Sequence, residues 1–336
     1  MKMARGAFIG RDAVEAHPCE SQAGYAETLG AATESAVWEE DRRWLAVAWR
    51  ACGALEWVTM VYLLWTLALL CLCRRNISHA ARSFAIHCAL AVGIIATAWM
   101  GARSRNRAMQ FARHWYPLPL YIFFFEELQG LVHAIFPGWF DRWLISFDYS
   151  FAGVHPAAWV AGFATPALND FMQFSYMTYF LFLVILPAIL YLQNQRTAFW
   201  TVMTSTAIAH YSVYVIAILF PVESPYFALA SLHLAPLTGG AFTTTIEFIE
   251  RFGRVHGAAF PSAHVAGSTV ALLAARRYKP WLFWICLPFF LSMSVATVYG
   301  RYHYVADVLA GIVVGALGGA LGQWILQCKG AVPPLR

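Results

Sequence analysis

The stretch Tyr299-Gly-Arg-Tyr-His-Tyr-Val-Ala-Asp307 opens the last apolar run of the chain. It places a guanidinium (Arg301), an imidazole (His303) and a carboxylate (Asp307) at the start of a segment that is otherwise apolar enough to cross a membrane. On a helix, His303 and Asp307 share one face and lie within hydrogen-bonding reach, because they are separated by about one turn. A carboxylate that orients an imidazole is typical of catalytic pairs.

The same helical face continues through three glycines, Gly311, Gly315 and Gly319. Glycine at every fourth position allows another helix to approach closely inside a bilayer. We therefore expect the face that carries His303 and Asp307 to be packed against the protein interior.

A second polar motif, Phe260-Pro-Ser-Ala-His264, stands at the start of an earlier apolar run. Pro261 suits the first turn of a helix, and Ser262 is a favourable N-cap residue. His264 then lies in the first turn, where free backbone N–H groups favour an anion. Two imidazoles, a carboxylate and a hydroxyl at two helix N-termini indicate phosphate chemistry.

The composition indicates an all-α polytopic membrane protein. Of the 336 residues, 60% are hydrophobic and 12% are charged, whereas soluble domains carry about 25% charged residues. The net charge of +5 is modest and forms no basic stripe, so nucleic acid is not an expected partner. The seven cysteines follow no zinc or redox spacing.

Apolar runs on the order of 20 residues, the length that crosses a bilayer, predict a bundle of about eight transmembrane helices. The predicted spans are 46–73, 82–101, 115–137, 172–193, 199–220, 262–277, 280–299 and 303–327. Residues 1–42 are predicted to form a polar cytoplasmic segment. Residues 43–328 are predicted to form one membrane-embedded domain, with the motifs in its part 221–325.

The loops predict the orientation of the bundle. Basic residues, among them Arg276, Arg277 and Lys279, are more frequent on one side, which the positive-inside rule makes cytoplasmic. Both termini are then cytoplasmic, and His264 and His303 share the outer face. We expect an integral protein of a bacterial inner membrane whose active site faces outside.

Two long loops lie on the outer side of this prediction. Residues 138–171 are predicted to form a partly helical, interfacial piece. Residues 221–261 precede the second motif and would form a lid or a substrate entrance. Their basic side chains Arg251, Arg254 and His256 face either an anionic substrate or water.

Two acidic residues, Glu126 and Glu127, lie near the middle of the third predicted span. Adjacent helical residues point about 100° apart, so at most one faces a given neighbour. We expect one to pair with a buried donor such as His133 or His210, and His210 to be a structural histidine of the bundle.

With these motifs the chain resembles the type 2 phosphatidic acid phosphatase superfamily, and within it the inositol phosphorylceramide synthase-like branch of inositolphosphotransferases. The resemblance rests on Ala259-Phe-Pro-Ser-Ala-His264 and on Arg301-Tyr-His-Tyr-Val-Ala-Asp307 with the following Leu309-Ala-Gly311. Weaker similarity extends it to about residues 105–325. The resemblance implies a six-helix phosphatidic acid phosphatase-like core within the bundle.

The resemblance also implies roles for the motif residues. His303 would attack the phosphorus of a lipid phosphoester and form a phosphohistidine, with Asp307 orienting it. His264 would protonate the departing oxygen and later activate the acceptor. Ser262 and Arg301 would bind phosphate oxygens, and neither a metal nor another cofactor is implied. The substrate would be a phospholipid, a sphingolipid or a polyprenyl phosphate.

Two positions depart from the superfamily pattern. The arginine usually found six residues before the second histidine is Thr297 here, so Arg301 would have to replace it. The first cationic motif has no counterpart, because Pro221–Tyr226, which would occupy its place, contains no cation. Hydrolysis and transfer to a lipid hydroxyl both stay open, and a non-catalytic transporter or scaffold with this fold is the alternative of another class.

Overall fold

The computed structural model describes residues 51–232 and 236–329, so the predicted segment 1–42 lies outside the described residues. Within those ranges the chain is helical, and its one bridge of β type joins Val222 and Ala258. The α-helices are α1 Ala54–Leu72, α2 Ala80–Arg103, α3 Arg107–Trp115, α4 Pro117–Leu131, α5 Asp141–Ala152, α6 Pro156–Ala161, α7 Pro166–Leu192, α8 Arg196–Leu219, α9 Pro225–Ala228, α10 Ala241–Gly253, α11 Ala263–Tyr278, α12 Pro280–Tyr299 and α13 Val305–Lys329. The all-α prediction is confirmed.

Six helices are long and apolar enough to cross a membrane. They are α1, α2, α7, α8, α12 and α13. The predicted spans 115–137 and 262–277 correspond to α4 and α11, which have 15 and 16 residues. At 1.5 Å per residue these helices are about 22–24 Å long, shorter than the roughly 30 Å hydrocarbon core of a bilayer. The count of eight spans is therefore not confirmed, and the orientation derived from it stays a prediction.

Helix α11 is the central element of the motif-bearing part. Its side chains are small, and from Ala263 to Ala275 nearly all of them are buried. It packs against α7, α8, α12 and α13. His264 lies in its first turn and Arg277 in its last turn, so the two ends of α11 mark the two ends of this part of the bundle.

Glycines on α13 allow α11 to lie close against it. A Cβ atom added at Gly311 would lie 2.8 Å from the carbonyl oxygen of Ser262, and one at Gly315 would overlap the Ala266 carbonyl. This confirms the predicted glycine contact for these two positions. The prediction of a close helix contact is wrong for Gly319, where an added Cβ would meet no atom within 4 Å.

A second glycine face on α13 contacts α8. A Cβ atom at Gly318 would lie 3.0 Å from the Cβ of Ala209, and one at Gly322 would overlap the side chain of Ser205. Helix α13 therefore packs against two neighbours at once, whereas the sequence pattern predicted a single stripe.

Substituting Gly315 with leucine is expected to destabilise the protein by about 3 kcal/mol, because overpacking forces α11 and α13 apart. The thermal unfolding midpoint in detergent should fall by several degrees. Gly93→Leu is the control, since that glycine of α2 faces open space. Equal midpoints for the two variants would contradict the close α11–α13 contact.

Candidate active site

The ring of His303 is fixed by two acceptors on one nitrogen. Its Nδ1 lies 2.8 Å from the carbonyl oxygen of Ala259 and 3.3 Å from Oδ2 of Asp307. A carbonyl oxygen can only accept, so Nδ1 carries the proton and donates it. The other ring nitrogen, Nε2, then keeps its lone pair, which is the form that a nucleophilic imidazole needs.

Asp307 lies in the first turn of α13 and is fully buried. Its Oδ2 also accepts the backbone N–H of Tyr304 at 2.8 Å, so the carboxylate is held on the same side as the His303 ring. The predicted pairing of His303 with Asp307 is therefore present, but not on one helical turn, because His303 lies just before α13 begins at Val305.

His264 and His303 meet across the site, although they come from the starts of different helices. Their ring centroids are 5.8 Å apart and the rings are close to perpendicular. Tyr176 and Tyr179 of α7 hold the His264 ring at centroid distances of 4.7 and 4.4 Å. The structure thus brings the two predicted imidazoles to one place.

Ser262 is the N-cap of α11, as the sequence predicted. Its hydroxyl accepts the backbone N–H of Val265 at 3.4 Å, and its own N–H donates to the backbone carbonyl of Asp307 at 3.1 Å. Ser262 is fully buried and therefore links the beginnings of the two motif-bearing helices.

Arg301 lies in the turn between α12 and α13, and its predicted phosphate-binding role stays a prediction. Its side chain is buried, and it is not among the described residues that line the cavity in front of His303. Burial lowers the pKa of its guanidinium. Its backbone has a φ of 65°, and Ser224 has a φ of 131°, a region that residues other than glycine adopt only at a cost. The Arg301 carbonyl accepts the N–H of Tyr226 at 3.0 Å, which joins the two strained segments at the site.

Two carboxylates of α5 support the site, and the sequence analysis assigned them no role. Asp148 accepts the backbone N–H groups of Val305 and Ala306 at 2.9 and 3.0 Å and so caps α13. Burial raises the pKa of Asp148 despite these bonds. Asp141 accepts the Tyr304 hydroxyl at 2.7 Å. The predicted interfacial piece 138–171 is thus partly helical, and it orients the His303 motif.

Asp141 also fixes the segment that replaces the missing cationic motif. Its carboxylate accepts the backbone N–H groups of Glu223 at 2.8 Å and Ser224 at 3.4 Å. A signal for both carboxylates was present in the sequence, since Asp141 and Asp148 are two turns apart and share one face of α5.

A cavity of about 520 Å³ opens in front of the two histidines. His264 and His303 lie in its wall, and much of the remaining wall is apolar or aromatic and comes from α4, α7 and α10. Ile122 and Phe180, on the walls formed by α4 and α7, are also exposed on the outer surface. A cavity with an imidazole pair at its polar end and apolar walls fits an amphiphile with a phosphate group.

Arg254 is a cation of this cavity wall. It forms an ion pair with Glu250 one turn earlier on α10, and its guanidinium carbon lies 3.8 Å from the ring centroid of Tyr226. Burial lowers the pKa of Arg254, but Glu250 more than offsets this and raises it. Burial also raises the pKa of Glu250, although Arg254 opposes this. The sequence left open whether Arg254 faces an anionic substrate or water; the structure places its side chain in the cavity wall.

Glu126 lies in the cavity wall, whereas Glu127 and His210 contact other helices of the bundle. Glu126 lines the cavity, whereas Glu127 lies 3.3 Å from His87 and not beside His133 or His210. His210 is fully buried; its Nδ1 donates to the Thr206 carbonyl at 2.9 Å and its Nε2 accepts the Tyr179 hydroxyl at 2.8 Å. His210 is therefore a fully partnered histidine, as predicted.

The described residues contain no cluster of three or more histidine, cysteine or acidic side chains arranged to hold a metal ion.

Comparison with known proteins gives one family match. The model of a family described as the PAP2 superfamily matches residues 142–321, which is more than half of the chain. No curated protein and no solved structure matches the chain.

Proposed function

The chain belongs to the PAP2 superfamily, and we propose that it transfers a phosphoryl group of a lipid phosphoester through a phosphohistidine on His303. Members of this superfamily are membrane phosphatases or phosphotransferases that act on lipid phosphates. The observation that carries this proposal is the fixed tautomer of His303. Its protonated Nδ1 is directed to Ala259 and Asp307, so the nucleophilic Nε2 belongs to a ring that faces His264 and the cavity.

The proposed reaction has two half-reactions. In the first, the Nε2 lone pair of His303 forms a bond to phosphorus while the bond from phosphorus to the leaving oxygen breaks. Burial lowers the pKa of the His264 imidazole in the free protein, so His264 would take up a proton when the phosphate anion binds beside it and then give that proton to the leaving oxygen. Asp307 stabilises the positive charge of the phosphorylated His303 ring.

The second half-reaction restores both histidines. The oxygen of a water molecule or an alcohol attacks phosphorus, and its proton passes to His264, which is now neutral. The bond between phosphorus and His303 then breaks. Hydrolysis and transfer differ only in which oxygen attacks, so the shape and polarity of the acceptor end of the cavity set the outcome.

We assign the charged part of phosphate recognition to Arg254. The segment Pro221–Tyr226, which replaces the superfamily's first cationic motif, presents the Tyr226 ring beneath the Arg254 guanidinium. The cation would thus be supplied by α10. Ser262 and backbone N–H groups at the start of α11 contribute dipoles of the sign that favours an anion. Arg301 would act through the backbone turn that it forms before His303.

Replacing Arg254 with glutamine is expected to lower kcat/KM by about 10- to 100-fold, mainly through KM, because a charge-assisted contact to phosphate is lost. The measurement is steady-state turnover in lipid nanodiscs. Arg251→Gln is the matched control, since Arg251 is an exposed arginine in the last turn of α10, three residues before Arg254. A variant at position 254 with the KM of wild type would remove Arg254 from the substrate site.

We further propose that the physiological reaction is headgroup transfer of the inositolphosphotransferase type. Two acid–base pairs support this, Glu223 with His256 at 2.7 Å and Glu250 with Arg254. One or more members of each pair line the cavity, and their oxygen and nitrogen atoms can hydrogen-bond a hydroxylated headgroup. The active site is proposed to face the non-cytoplasmic side.

The test uses protein purified into nanodiscs with a phosphatidate substrate and, separately, a headgroup-labelled phospholipid, each with and without a lipid alcohol. A labelled lipid product that appears only with the alcohol supports transfer. Free phosphate released at the same rate with and without the alcohol contradicts it and supports hydrolysis. Absence of turnover on both substrates and on a polyprenyl phosphate would contradict the proposal of a lipid phosphate enzyme.

A further inference from the structure

A second cavity, of about 440 Å³, lies at the end of the bundle opposite the histidines. Its walls come from the first turns of α8, the last turns of α11 and the C-terminal half of α13. From His264 to Arg277 the axis of α11 rises about 20 Å, so this cavity is separate from the candidate active site.

The mouth of this cavity is basic. Arg276 and Arg277 line it and are exposed, and neither forms an ion pair within residues 51–232 and 236–329. The helices α8, α11 and α13 contain a single acidic residue, Asp307, which lies at the other end. The positive charge of the mouth is therefore not compensated by its own walls.

The interior of the cavity is open and partly polar. Thr201, Ser205 and Gln323 line it beside small residues, and an atom added at Gly319 would enter empty space. Gln323 accepts a hydrogen bond from Arg277 at 3.1 Å through Oε1, so its amide N–H groups stay available to donate. The hydroxyls of Thr201 and Ser205 already donate to the carbonyls of Thr197 and Gly319, so the Gln323 amide is the group that suits an ester oxygen of a glycerolipid.

The depth of the cavity also fits a lipid headgroup. Thr201 and Ser205 lie in the first three turns of α8, and Arg277 lies next to the last residue of α11. In a helix that crosses the membrane these positions fall at the boundary between headgroups and acyl chains. Basic pockets between membrane helices at this level bind anionic lipid headgroups.

We propose that this cavity binds one anionic glycerophospholipid, with its phosphate on Arg276 and Arg277 and its glycerol region beside Gly319. The site is independent of the proposed catalytic reaction. It would be occupied by a structural lipid of the surrounding leaflet.

The test measures binding of phosphatidylglycerol to the full chain in a neutral detergent, by native mass spectrometry and by thermal shift. Wild type is expected to retain a phosphatidylglycerol molecule and to gain thermal stability, whereas phosphatidylcholine and inorganic phosphate give neither effect. The double variant Arg276→Gln/Arg277→Gln should weaken this binding by about tenfold or more. Arg74→Gln/Arg75→Gln is the matched control, because it removes another exposed arginine pair.

A second variant tests the cavity itself without altering charge. Gly319→Leu fills the open space and should remove one bound phosphatidylglycerol, while Gly93→Leu, at another open helical glycine, should not. The proposal is overturned if Gly319→Leu and the Arg276/Arg277 variant both bind phosphatidylglycerol as wild type does. It is also overturned if phosphatidylcholine binds equally well, or if inorganic phosphate alone reproduces the thermal shift.

Discussion

His303→Asn is expected to lower turnover by a factor on the order of 10⁴ or more, because the covalent route through phosphohistidine is lost. Asparagine keeps a hydrogen-bonding side chain of smaller size beside Ala259 and Asp307, so the helices should still assemble. Wild-type protein mixed with substrate and stopped in alkali should retain label as a base-stable, acid-labile phosphoramidate. The variant should retain none.

The matched control for this change is His79→Asn. His79 is exposed, has a left-handed φ of 59° and precedes α2, all of which asparagine tolerates well. It should keep wild-type turnover. If His303→Asn turned over substrate as wild type does, the phosphohistidine proposal would fail, and a transporter or scaffold with this fold would become the better explanation.

Asp307→Asn is expected to lower turnover by about 10³-fold, mainly through kcat. The amide keeps the size of the carboxylate and can still accept the Tyr304 N–H. It cannot stabilise the positive charge on a phosphorylated His303 ring, and its N–H groups can reverse the His303 tautomer. Single-turnover kinetics should show slow formation of the phosphoenzyme with little change in substrate affinity.

Asp170→Asn is the control for replacing a carboxylate that accepts a backbone N–H group. Asp170 accepts the N–H of Thr243 at 2.9 Å and so caps α10, away from the histidines. This variant should lose some thermal stability and keep its turnover. Equal losses of kcat in the variants at 170 and 307 would mean that Asp307 acts only in folding.

Local patterns in the sequence were sufficient for the centre of the site. The Pro-Ser-Ala-His order around Ser262 depends only on helix capping, which acts within one turn, so the N-cap could be predicted without knowledge of the remaining chain. The short spacing of His303 and Asp307 also keeps the two side chains close, although His303 precedes α13 and its ring is fixed in part by the distant Ala259 carbonyl.

Features that depend on distant segments were predicted poorly. The bond of Asp148 to the start of α13 joins positions 157 residues apart, and no local pattern specifies such a contact. The same reason explains why the sequence left open whether Arg254 faces a substrate or water: its place in the cavity wall depends on the packing of α10. The span count was not confirmed, because an apolar stretch in the sequence does not show whether its helix is long enough to cross a bilayer, as with the 16-residue α11.

The cap supplied by Asp148 has a consequence for the order in which the protein is made. Its partners Val305 and Ala306 begin the final helix, so roughly half of the chain is synthesised between the carboxylate and the groups that it binds. A nascent chain that ends before α13 holds His264, Asp141, Asp148 and His303 but lacks Asp307 and the backbone N–H groups that Asp148 binds. On the proposed mechanism the site would therefore remain inert throughout synthesis, until the last helix joins the bundle and Asp307 orients His303.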